Sequence, residues 1–161
     1  MQQTFRLRKF SINDLERVKY INHACLPENY SDYFFVDLYR RFPETFIVAE
    51  ENKEVVGYIL CRIETGLSIL DFRGLIKKGH IVSVAVLPQY RHKGIGQALV
   101  TKAMKNMRFY KAELCFLEVR TTNTRAINLY KKLEFQVSRT TKGYYADGED
   151  AYVMTKKLTS D

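Results

Sequence analysis

The most suggestive chemistry in this sequence lies in one turn, Arg91-His92-Lys93-Gly94-Ile95-Gly96, between an apolar run and a helical one. Glycines at 94 and 96 let a ligand approach the main chain without meeting a side chain. A helix beginning here offers unpaired amides at the positive end of its dipole, which suits a pyrophosphate, and Arg91 and Lys93 add charge. Two better-known phosphate loops do not fit. No Gly-x-x-x-x-Gly-Lys-Ser/Thr occurs, and the third glycine of a dinucleotide fingerprint would fall on Leu99. A solvated glycine loop with surface cations is the other reading of the same residues.

The flanking patterns indicate what must hold that turn. Thr4 to Phe10 alternates as a strand, and Ser11 with Asp14 forms an acidic variant of the capping box. The helix behind it carries Leu15, Val18, Ile21 and Ala24 or Cys25 on one face, and Leu26-Pro27-Glu28-Asn29-Tyr30 breaks it. A second, aromatic-rich helix is expected from Ser31 to about Arg41. Strands follow at Phe46 to Glu50 and Val55 to Glu64, then an irregular connection from Thr65 to Lys77. His80 to Leu87 reads as a central strand, with Val82, Val84 and Val86 on one face and Ile81 and Ala85 on the other. A helix from Ile95 to about Tyr110, a strand from Leu114 to Arg120 and a helix from Thr124 to Leu133 come next. Phe135 to Lys142 and Asp150 to Lys157 close the chain as a hairpin. The order β-α-α-β-β-β-α-β-α-β-β predicts an α/β fold around a mixed sheet.

A chain of 161 residues is expected to form one domain, 1–161. Apolar residues at 46% and charged residues at 27% argue against disorder. The 26 basic residues exceed the 18 acidic ones by a formal +8, which favours phosphate-bearing or nucleic-acid partners without choosing among them. Three cysteines, odd in number and without a Cys-x-x-Cys, exclude a disulfide framework and a cysteine-rich zinc site, and fit a reducing cytoplasm. No acidic or histidine cluster proposes a metal. No apolar run approaches the roughly 18 residues of a membrane span, and the start lacks a signal-peptide core.

Two motifs narrow the reading. Arg-x-x-Gly-x-Gly after a strand ending Ser83-Val84-Ala85-Val86 resembles the acetyl-coenzyme A motif of the GNAT N-acetyltransferase superfamily. Asn123-x-x-Ala126-x-x-x-Tyr130-x-x-Leu133-x-Phe135 resembles that superfamily's other hallmark, and the element order is similar to its fold over almost the whole chain. Three further segments are similar to catalytic subunits of NatA-type N-terminal acetyltransferases and their archaeal and ribosomal-protein alanine acetyltransferase relatives. They are Leu26 to Tyr30, Gly79 to Val86 and Gly143-Tyr144-Tyr145-Ala146-Asp147-Gly148-Glu149-Asp150-Ala151-Tyr152.

The resemblance implies direct acetyl transfer, within a ternary complex, from acetyl-CoA to the α-amine of a protein N-terminus or nascent peptide. It implies a mixed, mostly antiparallel sheet with the strands of Val84 and Glu118 splayed around the cofactor. Cofactor contacts would come from Val84, Ala85, Val86, Arg91, His92, Lys93, Gly94, Ile95, Gly96, Asn123 and Tyr130. Leu26, Pro27, Glu28, Tyr30, Glu118, Tyr144 and Tyr145 would surround the peptide. An α-amine with pKa near 8 must lose a proton before attack, so a base is required, and Glu28 and His80 are both candidates. Tyr130 would protonate the departing thiolate.

Where many relatives carry glycine before the motif's phenylalanine, Glu134 stands here, in strain if the helix ends left-handed. Acetylation of lysine or small amines is the second reading, and a non-catalytic basic subunit docking on RNA or the ribosome the third. The expected partners are protein N-termini, with weak ribosome association, no specific nucleic acid and no membrane, and the expected state is a monomer or weak dimer.

Overall fold

The computed structural model describes residues 4–68 and 74–159. Strand β1 (Arg6–Lys9) leads through a short 3-10 turn at Ile12–Asp14 into α1 (Leu15–Cys25), then α2 (Asp32–Arg41). Strands β2 (Phe46–Glu51), β3 (Glu54–Leu67) and β4 (Leu75–Val86) follow, then α3 (Ile95–Met107), β5 (Leu114–Arg120), α4 (Thr124–Lys132), β6 (Gln136–Thr141) and β7 (Ala151–Lys157). The strands form one seven-stranded sheet ordered β1-β2-β3-β4-β5-β7-β6, antiparallel at every pairing but β4 with β5.

Each face of the sheet carries its own apolar cluster. Val18, Ile21, Phe35 and Leu38 of α1 and α2 pack with Val48, Tyr58 and Leu60 on one side. Leu99, Val100, Ala103 and Met107 of α3, with Ile127 and Tyr130 of α4, pack with Ile47, Ile59 and Cys61 on the other. The predicted capping box is present, Ser11 N donating to Asp14 Oδ2 at 2.8 Å, but it opens the 3-10 turn ahead of α1. The Arg8 guanidinium bridges Asp14 and Glu50, so the capping carboxylate also ties α1's entry to β1 and β2.

Two expectations are corrected. The described part of the connection from Thr65 to Lys77 is mostly strand, since β3 runs to Leu67 and β4 begins at Leu75, with Gly66 opposite Ile76; residues 69–73 of it lie outside the described residues. Inside β4 the alternation slips. Leu60 faces Ser83 but Cys61 faces Ile81, which leaves Val82 as the extra residue of a β-bulge. Ile81, Val84 and Val86 therefore join the α3 side, and Val82, Ala85 and Leu87 the α1–α2 side. A bulge shifts a period-two pattern by one residue, and where both faces are apolar the sequence does not betray it.

The end of α4 holds the left-handed residue. Glu134 has φ +72°, Phe135 N donates to Tyr130 O at 2.9 Å and Glu134 N to Lys131 O at 2.9 Å, the paired bonds of a Schellman cap. Phe135 meets Tyr130 edge-on with centroids 5.7 Å apart, so the cap also fixes the turn of helix that carries Tyr130. A non-glycine residue in this region costs about 1–2 kcal/mol, and the 3.8 Å pair of Glu134 with Lys156 is too exposed to offset it. Glu134→Gly should raise the melting temperature by about 2–4 °C in calorimetry.

Candidate active site

Strands β4 and β5 touch over a short stretch, Lys78 opposite Leu114, Gly79 opposite Cys115 and His80 opposite Phe116. A side chain at Gly79 would run into the Met107 thioether, so this glycine lets α3 lie against the last joined rungs. Past His80 the strands part. The gap opens into a cavity of ≈ 1040 Å³ lined from both edges, by Ile81 to Val86 on one side and Leu117 to Arg120 on the other. Every residue that the sequence singles out lines this cavity except His80 and Lys93.

One end is built for an anion. Gly94 caps α3 with φ +85°, and His92 is also left-handed at φ +65°. The first intrahelical bond is Ala98 N to Gly94 O, so the amides of Ile95, Gly96 and Gln97 lie ahead of it. Arg91 donates from Nε to Val86 O at 2.8 Å, which pins the turn to the end of β4. Lys93 faces elsewhere: its ammonium reaches Glu51 Oε2 at 3.2 Å and lies over the Tyr90 ring. Arg125 and Lys132 of α4, to which the sequence assigns no place in a site, supply cations to the cavity wall instead. Asn123 is the N-cap of α4, its Oδ1 accepting from Ala126 N at 3.2 Å.

Tyr130 lines the cavity and is 6% exposed. Among the described residues its hydroxyl finds no hydrogen-bond partner, and burial pushes its pKa above the ordinary tyrosine value, so it keeps its proton at neutral pH. Cys115 is fully buried, and its thiol is likewise held up by burial, which makes it inert as a nucleophile.

The other end is a mouth of tyrosines and carboxylates. Tyr30 comes from the α1–α2 connection, while Tyr144 and Tyr145 stand edge-to-face in the β6–β7 connection at 4.9 Å. Burial raises all three hydroxyl pKa values, helped by nearby Glu28 and Glu118. Arg120 ties the two loops together. It donates to Glu28 Oε1 at 2.7 Å, Asp147 Oδ2 at 2.9 Å and Glu149 Oε2 at 2.6 Å, and lies 4.0 Å over the Tyr145 ring. Thr122 adds a hydroxyl to Glu149. Glu28 is thus a partner of an arginine, not a free carboxylate.

His80 stands behind the cavity wall. Its Nε2 meets Glu118 Oε2 at 2.7 Å, its Nδ1 meets Glu64 Oε2 at 2.6 Å, and its ring stacks on Phe116 at 4.3 Å. Glu118 lines the cavity, whereas Glu64, a third exposed, faces out between His80 and Arg62. Burial pushes the Glu64 carboxyl up, but His80 and Arg62 together bring it below the usual range. Three groups therefore form a continuous line from cavity to surface. Among the described residues no three histidine, cysteine or acidic side chains are placed to hold a metal.

A parallel strand pair that splays past its third rung, beside a glycine-opened helix N-terminus, is a slot for an extended, anion-headed ligand. The sequence profile of the acetyltransferase (GNAT) family matches residues 15–135, and the chain belongs to that family. An N-alpha-acetyltransferase of Sulfurisphaera tokodaii is 51% identical over 96% of this chain and 93% of its own. The crystal structure of Ard1 from Thermoplasma volcanium superposes with TM-score 0.84 at 31% identity, covering 98% of this chain and 99% of that one. Naa50 of Arabidopsis thaliana, solved with the bisubstrate analogue CoA-Ac-MVNAL, gives TM-score 0.81 at 28% identity over 95% and 98%.

If Arg120 is what joins the two loops, Arg120→Met should release both. Amide exchange in 143–150 and at Tyr30 is expected to quicken about tenfold while β3 and α3 keep their protection, because local opening follows local ties. Unchanged exchange in both loops would remove Arg120 from that role.

Proposed function

We propose that this protein transfers an acetyl group directly from acetyl-CoA to the α-amino group of protein N-termini or nascent peptides, within one ternary complex. The observation that carries the reading is the single cavity joining the open N-terminus of α3, across the splayed β4–β5 gap, to a mouth of tyrosines and carboxylates. The relatives named above act as support, one being an N-alpha-acetyltransferase by name and another solved with the bisubstrate analogue CoA-Ac-MVNAL.

The residues fit a coenzyme A thioester. The turn from Arg91 to Gly96 would hold its pyrophosphate through backbone amides, with Arg125 and Lys132 at the rim. The edges of β4 and β5, freed of each other past His80 and Phe116, would take the pantetheine arm as an added strand. The thioester supplies an activated acyl group. Tyr130 holds a proton at its hydroxyl for the leaving sulfur, and its burial keeps that proton in place well into the alkaline range. A strand amide near Val84 would meet the developing oxyanion.

Between the two candidate bases, the contacts favour the His80 side. Glu28 is engaged by Arg120, so it shapes the mouth. Glu118 faces the cavity and takes the proton of the incoming ammonium, directly or through a water. His80 accepts it at Nε2 and yields one from Nδ1 to Glu64, which opens to solvent. The ring carries the proton without turning, since both nitrogens already have oxygen partners. Three unpaired thiols fit a reducing cytoplasm, and among the described residues no helix is long and apolar enough to cross a membrane. The net charge of +8 would support weak, salt-dependent attraction to ribosomal RNA, and the reading expects activity without an auxiliary subunit.

The test uses peptides starting Ser, Ala, Met-Leu or Met-Glu, each with an internal lysine, and locates the acetyl group by mass spectrometry. Acetylation confined to the α-amine is expected; modification of the lysine, or of neither amine, would overturn the reading. The pH dependence follows from the same groups. The rate should rise as the α-amine loses its proton near pH 8 and hold a plateau past pH 9.5, because the Tyr130 proton is lost only above its raised pKa. His80→Ala should lower kcat by about 10- to 100-fold with little change in the peptide KM.

A further inference from the structure

Helix α1 buries an asparagine where its periodicity calls for a hydrophobe. Asn22 is 0% exposed, shares a face with Val18 and Ile21, and bonds to Tyr58, a member of the apolar cluster that holds Phe35, Phe46 and Leu60. Its Nδ2 donates to the carbonyl of Glu28 at 3.0 Å and to the Tyr58 hydroxyl at 3.1 Å, and its Oδ1 accepts from the amide of Tyr30 at 3.3 Å. Tyr58 Oη in turn lies 2.7 Å from Ser83 Oγ. Asn22 thus grips both main-chain ends of the turn that presents Glu28 and Tyr30, and refers that turn through Tyr58 to β4 beside the Val82 bulge. Tyr30 makes a second tie to the same place, its hydroxyl donating to Val82 O at 3.4 Å.

A buried polar chain is tolerated only when each member finds a partner, and a leucine at position 22 would suit the surrounding apolar cluster. The network therefore has to be accounted for by what it fixes. The turn at 28–30 forms one wall of the peptide mouth, and the bulge at Val82–Ser83 begins the stretch of β4 that lines the cavity. The two lie on different elements, with no main-chain hydrogen bond between them, so side chains must set their spacing.

We propose that Asn22 is a positioning residue for the incoming N-terminus, holding the Glu28–Tyr30 turn at a fixed height over β4 through Tyr58 and Ser83. The inference rests on the reading above that this mouth admits a peptide. The turn from Arg91 to Gly96 shares none of these bonds, so the main effect falls on the acceptor. Asp at this position keeps the shape but replaces the Nδ2 donor by an oxygen facing the Glu28 carbonyl. Phe at position 58 breaks the chain one link further on and leaves the ring in place.

The experiment measures peptide and acetyl-CoA KM separately in Asn22→Asp, Asn22→Ala and Tyr58→Phe, with amide exchange at Tyr30 followed in parallel. Expected are a peptide KM raised about tenfold in the Asn22 variants and about threefold in Tyr58→Phe, with acetyl-CoA KM within about twofold throughout. Tyr30 amide exchange should quicken at least about tenfold in Asn22→Ala while β5 stays protected. Equal shifts in both KM values, or neither shifting, would reduce Asn22 to a core residue and overturn the proposal. Should the Asn22 variants not fold, Tyr58→Phe decides it by the same split. If the wild type left peptide α-amines untouched, the functional reading would fall, and the Tyr30 exchange would still decide whether Asn22 holds the turn.

Discussion

Three rungs of parallel pairing between β4 and β5 set the terms for the rest of the molecule. Up to His80 and Phe116 the strands are zipped, and α3 is drawn against them over the bare backbone of Gly79. Past that point the sheet is open, and backbone groups that would satisfy each other face a cavity. An open edge inside a sheet is costly unless something takes it up. Here the α3–α4 face packs against both halves, on Ile81 and Val86 of β4 and on Leu117 and Val119 of β5, and the gap between them has the shape of an extended ligand.

The chemistry divides along that opening. The cofactor end is made almost wholly of main chain: two left-handed residues, a helix start and an arginine used to anchor the loop instead of the ligand. Main-chain recognition suits a carrier that is always the same. The acceptor end is made of side chains on two loops, with Arg120 joining Glu28, Asp147 and Glu149 and Asn22 holding the turn from below. Between them stand one hydroxyl that keeps its proton and one carboxylate–imidazole–carboxylate line that runs from the cavity to the surface.

Much of the glycine-opened end of the cavity was legible in the sequence because it is local. Gly94, Gly96 and the neighbouring helix sit within a few residues, and the requirement for a left-handed residue at Glu134 follows from where the α4 pattern stops. What stayed hidden depends on distance or on phase. Glu64 and Glu118 meet His80 from 16 and 38 residues away, and Arg120 meets Glu28 across 92. Lys93 reads as a phosphate ligand until the fold brings Glu51 beside it. The Val82 bulge is invisible in a strand apolar on both faces, and Asn22 looks like an interruption of a helix stripe until its three partners are in view.

The most direct test of this account is amide hydrogen exchange along β4 and the start of α3, with and without coenzyme A. The account predicts that coenzyme A slows exchange at 82–86 and 95–97 together, as a ligand pairs with the open edge and the helix start, while 78–80, already paired to both β3 and β5, hardly changes. Protection confined to α3 with no effect on β4, or protection on a different face, would contradict the claim that the splayed strands are completed by the ligand.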